Sequence, residues 1–191
     1  MEVALALLFA LACLGATDIL LFHSFSHGIR SHAESRAELW IHSLRGPLYA
    51  TLFLVLPNFA LAGGWVLALY ALLGIDVVIT TVDFALESDS REKLGGLPTG
   101  EYVLHMLIAM TFGAFAALTV VETHASLLAQ TKFAYAPVVS PAVQLVFALM
   151  ASLVFYSGVL DARAAWRLGH RGGFAPPARF SPTRDTFGHE Y

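Results

Sequence analysis

Four pairs of ionisable residues recur at one spacing in this chain. His23 and His27, Glu38 and His42, Asp83 and Glu87, and Glu101 and His105 each stand four residues apart. On an α-helix that spacing puts both members of a pair on one face, one turn apart. Imidazole and carboxylate without thiolate suit iron, manganese or zinc. The single cysteine, Cys13, excludes a thiolate cluster and an internal disulfide. Eight such groups exceed what one tetrahedral zinc uses. They suit two cations held by mixed His/carboxylate shells, with iron favoured and zinc or manganese second.

The elements that carry these pairs are apolar. Of the 191 residues, 57% are hydrophobic and only 13% charged, against about 25% charged in an average globular chain. The apolar residues form five blocks: Val3–Phe22, Pro47–Ala62, Trp65–Leu86, Tyr102–Val121 and Pro141–Leu160. Four of the blocks reach about the twenty residues needed to cross a hydrocarbon core. Pro47–Ala62 is shorter and contains Pro57. The expected fold is an all-α integral membrane protein: a bundle of five transmembrane helices over residues 1–170, then an irregular tail over 171–191. A short entry helix should begin near His32, with Ser31 and Glu34 as a capping box, and break or bend at Gly46-Pro47. Thr99 is expected to cap the fourth span. The first block begins Met1-Glu2, without a positive n-region, and is expected to be a retained helix and not a cleaved signal.

Ten of the eleven Lys and Arg residues fall at the inner ends of spans threaded in this way; only Lys132 lies opposite. The positive-inside rule then puts the N-terminus outside and the C-terminus in the cytoplasm, in a bacterial-type inner (plasma) membrane. The net charge of −3 argues against a nucleic-acid partner.

This threading brings all four pairs to one side. Helical bundles build two-metal sites from facing helices that each send a carboxylate or a Glu/His pair inward. The present set is similar in ligand chemistry to the sites of ferritin-like di-iron proteins, but not in motif. Its Glu-to-His spacing is four and not three, and the His-x-x-His-His boxes of histidine-rich membrane hydroxylases are absent. The competing reading is an ordinary charged interface, with Glu38, Glu87 and Glu101 paired to Arg45, Arg91 and Lys93. Span three weighs against it. Asp76, Thr80, Asp83 and Glu87 make one polar stripe, and Asp76 lies about 10 Å deeper than Asp83. Ionisable groups at such depth usually face a bundle interior and work there. Asp76 and Thr80 would support the ligands from outside or carry a proton. Asp18 is grouped with them, on the expectation that it points away from the His23/His27 face, towards Asp76 or the polar Gln144, Ser152 and Tyr156 of span five. His124 and Glu122 belong to the opposite side, and His170 and His189 to the tail.

The leading functional expectation is a membrane metalloenzyme, an oxidoreductase served by an electron donor. It would act beside membrane lipid on a lipid-like or quinone-like small molecule, in a cleft that Met106, Met110, Phe112 and Phe115 are candidates to line. A zinc-dependent hydrolase or lyase, with Ser24 or Ser26 orienting the substrate, is the second reading. A metal-ion or proton carrier using the stripe from Asp76 to Glu87 is the third, and a haem protein the fourth.

Overall fold

The structure is a computed structural model that describes residues 1–92 and 96–171; the tail from 172 onward, with His189, and Lys93 lie outside the described residues. Among the described residues there are five α-helices: α1 (Glu2–Asp18), α2 (Arg36–Val55), α3 (Gly64–Glu92), α4 (Thr99–Thr123) and α5 (Pro141–Arg171). The fold is all-α apart from one small ribbon. Strands β1 (Phe59–Ala62) and β2 (Lys132–Tyr135) pair antiparallel, with Phe59 opposite Tyr135 and Ala62 opposite Lys132. The ribbon ties the α2–α3 turn to the α4–α5 loop. Its aromatic residues hold it, with the rings of Phe59 and Phe133 stacked at 4.4 Å. Gly63, at φ 57°, allows the chain to leave β1 beside Thr131, where a side chain would collide.

Four helical stretches are long and apolar enough to cross a membrane: 2–23, 64–87, 99–126 and 141–170. The expected count was five. Helix α2 passes through the same bundle, but its first half carries Arg36, Glu38, His42 and Arg45, so it is too polar to qualify. Of the expected break or bend at Gly46-Pro47, the break does not occur: entry helix and second span are one continuous helix with Pro47 inside it. Pro47 has no N–H for the Ser43 carbonyl. That carbonyl lies instead against Gly158 of α5, where the Gly46 and Gly158 backbones touch. Small residues at a helix crossing permit such an approach.

The core is one cluster built on two close helix pairs. Leu5, Leu8 and Leu11 of α1 pack with Phe112 and Phe115 of α4, and Leu52, Phe53 and Leu56 of α2 join Phe147 and Ala151 of α5. The outward faces stay apolar, with Leu67, Val78, Leu149 and Leu153 all more than half exposed. An unpaired apolar surface of this extent fits lipid and not water.

Three local expectations are corrected. Ser31 caps no helix: 3₁₀ turns at Ile29–Ser31 and Ala33–Ser35 precede α2, which starts at Arg36. Pro98, without a side-chain cap bond, takes the place expected of Thr99. His170 is the penultimate residue of α5 and not part of the tail, with its ring Nδ1 donating to the Trp166 carbonyl at 2.9 Å.

Candidate metal centre

Helix α1 does not end at Asp18 but continues as a π-helix over Ile19–Ser26. The wider π-turn bonds residue i to i+5. It therefore carries Asp18 and His23 to the same face, although five residues separate them. His23 Nε2 lies 3.2 Å from Asp18 Oδ2, and His105 Nε2 of α4 lies 3.1 Å from Asp18 Oδ1. The expectation for Asp18 is thus corrected: it points at the histidines, and not towards Asp76 or α5. The α-helical phase used for the sequence reading does not hold beyond Asp18.

The other pairs meet this turn at the same end of the bundle. Glu38 and Glu101 are fully buried, and each places an oxygen 3.9 Å from His23 Nε2. His27 Nε2 donates to Glu101 Oε2 at 3.0 Å. His42 stacks on the His23 ring at 4.6 Å, with its Nε2 3.2 Å from Asp83 Oδ1 and 4.0 Å from Glu38 Oε1. His105 Nδ1 lies 2.8 Å from Glu87 Oε1. His105 therefore faces Asp18 through one ring nitrogen and Glu87 through the other, the arrangement in which a carboxylate fixes a ligating imidazole from behind.

Two sets of ligand atoms come within 4.8 Å of one another. One is Asp18, His23, Glu101 and His105; the other is His23, Glu38 and His42. His23 belongs to both. Asp83 and Glu87 adjoin the two sets through His42 and His105. Asp18 Oδ1, Asp83 Oδ1, Glu87 Oε1 and His105 Nδ1 are buried without a hydrogen bond, although their neighbours stand at 2.8–3.2 Å. Buried groups of this kind are costly unless something satisfies them, and a shared cation does so.

Arg45 is the nearby cation that the sequence reading assigned elsewhere. It pairs with Asp83 at 2.8 Å and approaches Asp76 to 3.8 Å, and it donates to Thr80 Oγ1 at 2.8 Å. It does not pair with Glu38, as the interface reading supposed. Tyr49 donates to the other Asp76 oxygen at 3.0 Å. The i, i+4 step from Arg45 to Tyr49 was the available signal for this second polar layer. Asp76 and Thr80 thus touch Arg45, and through it Asp83, while none of the distances joins them to the histidines. Of the residues named as cleft lining, Phe112 and Phe115 are buried in the core, whereas Met106 and Met110 are exposed on the outside of α4.

No family model, curated protein or solved structure matches the chain.

Proposed function

We propose that this is an integral membrane metalloprotein with a two-metal His/carboxylate centre. Asp18, His23, Glu38, His42, Glu101 and His105 would hold the cations. Glu87, Asp83 and His27 would orient or complete the set, and Arg45, Asp76 and Thr80 would form the layer behind. The carrying observation is the pair of adjoining buried ligand sets, of which His23 would complete one, since one imidazole nitrogen binds one cation. Charge supports it. At this centre the six buried carboxylates Asp18, Glu38, Asp76, Asp83, Glu87 and Glu101 and the one arginine, Arg45, leave a formal charge of −5 when the histidines are neutral. In a low-dielectric site like charges cannot all persist without cations.

The chemistry favoured is redox chemistry on a lipid-like or quinone-like substrate. Two redox-active cations at such a site would supply electrons or activate oxygen or a peroxide, and an electron donor would restore them. The substrate class rests on access. Beside the His105 ring stands the exposed Phe84 of α3, stacked on it at 5.9 Å. A molecule reaching that ring comes through apolar surroundings. The same reading puts the N-terminus outside a bacterial-type inner membrane and the metal centre at the cytoplasmic edge, on the arginine asymmetry alone.

One feature favours a zinc hydrolase or lyase as the second reading. Any three of Asp18, His23, Glu101 and His105 would hold one zinc and leave its fourth position to a water. The carrier reading loses ground, because Arg45 sits as a fixed cation between Asp76 and Asp83.

Metal analysis of the detergent-purified chain, with an optical spectrum, tests these readings. About two irons per chain supports the proposal. One zinc without visible absorption supports the second reading. Less than about one metal per chain after iron- and zinc-replete expression overturns both.

A further inference from the structure

At the histidine end, α5 carries two arginines that the bundle does not use. Arg30 is engaged by Asp161 at 2.6 Å, and Arg36 donates to the Ala165 carbonyl. Arg163 and Arg167 are exposed, and among the described residues neither has an ion pair or side-chain hydrogen bond. They stand one turn apart with Trp166 between them, on the face opposite the buried Ala164, Ala165 and Leu168. Trp40 of α2 faces them across a groove of about 600 Å³ floored by Val159 and Leu160.

Depth gives this groove a meaning. The apolar helix of residues 141–170 is longer than a hydrocarbon core requires. About twenty residues span the core. Counted from Pro141, the far edge falls near Leu160, so Arg163 and Arg167 lie roughly 4.5 and 10 Å beyond it. That is headgroup depth, where tryptophans gather and exposed arginines meet lipid phosphates. Val159 and Leu160 lie just below, at acyl-chain depth.

We infer that the groove formed by Trp40, Arg163, Trp166 and Arg167 binds one anionic phospholipid. Its phosphate lies between the two guanidinium groups and its acyl chain runs along Val159 and Leu160. Opposite charge and the stacking of basic rim over apolar floor select this occupant. The inference requires the chain to be membrane-embedded but is independent of the metal centre.

Native mass spectrometry of the full chain, titrated with phosphatidylglycerol or with phosphatidylcholine of the same acyl chains, tests it. Phosphatidylglycerol should bind more tightly, and the Arg163→Gln/Arg167→Gln variant should lose that preference. The loss should be roughly thirtyfold, from about fivefold per arginine near a membrane surface. Helical circular dichroism and metal content should not change, because both side chains project away from the bundle. Equal binding of the two lipids by the wild type, or an unchanged preference in the double variant, overturns the inference. Displacement of the lipid by millimolar inorganic phosphate would mark a soluble-anion site and overturn it too. So would a dimer in the same spectra that dissociates in the double variant, since a second copy would then fill the groove.

Discussion

His23 Nε2 lies 3.2 Å from Asp18 Oδ2 across a π-helical turn. In a continuous α-helix, residues five apart diverge by about 140°. The π-turn reduces that divergence and turns a carboxylate that would face elsewhere into a neighbour of His23 on its own helix and of His105 on α4. π-segments are rare and are found disproportionately at functional sites.

Asp18 should therefore behave as a ligand. In Asp18→Asn protein the metal content, read by elemental analysis, should fall by at least half while the helical circular dichroism stays the same. Glu122→Gln, which breaks an ion pair with the Met1 ammonium at the opposite end of the bundle, should leave the metal content alone. Equal loads in Asp18→Asn and wild type would remove Asp18 from the set.

Metal and fold should be coupled. Removing the cations leaves buried carboxylates facing one another with little to screen them. A cation present at a hundred times its Kd stabilises by about 2.7 kcal/mol, and chelation should lower the Tm in detergent by roughly 5–10 °C. His105→Ala and Glu101→Ala should lower both metal content and Tm, and His189→Ala should lower neither. A Tm indifferent to chelator in the metal-loaded wild type would break the link.

These expectations show what the sequence carries and what it hides. The i, i+4 pairs were legible because helical phase is regular, and the apolar blocks already put their ends on one side. Glu38, His42, Glu101 and His105 meet for that reason. The place of Asp18 was not legible, since nothing local in Ile19–Ser26 distinguishes a π-turn from an α-turn. The passage of α2 through Pro47 was hidden as well. It depends on Gly158 of another helix, which gives the freed Ser43 carbonyl a close backbone neighbour. The β-ribbon pairs residues seventy or more positions apart, and no period in either segment announces it. Arg45 was counted as an interface charge because its partners, Asp83 and Asp76, are on α3.

Arg45 should be structural. Its removal leaves Asp83 and Asp76 buried without their cation, and breaking one side of a buried pair costs about 3–5 kcal/mol. Arg45→Met should lower the Tm strongly even in metal-loaded protein, whereas Arg45→Lys should recover part of the loss. Tyr49→Phe removes only one bond to Asp76 and should cost about 1 kcal/mol. If Arg45→Met melts with the wild type, the carboxylates find another counter-charge and the layer has no structural role.

The crossing of α2 and α5 holds Glu38 and His42 in register with the other ligands, and Gly158 is its narrowest point. A Cβ there would stand 3.0 Å from the Gly46 Cα and 3.1 Å from the Ser43 carbonyl oxygen, both backbone atoms that cannot swing aside. Gly158→Val must push the helices apart, and overpacking of this kind costs about 1–3 kcal/mol. Because α2 carries Glu38 and His42 one to two turns before Gly46, the displacement should also weaken metal retention during dialysis. Gly113→Ala in α4 is the control. Nothing lies within 4 Å of its Cβ position, so the substitution should be neutral or stabilising by up to about 1 kcal/mol. Thermal melts and metal content of the two variants give the comparison. If Gly158→Val keeps wild-type Tm and metal load, the close crossing does not set the position of α2 at the centre.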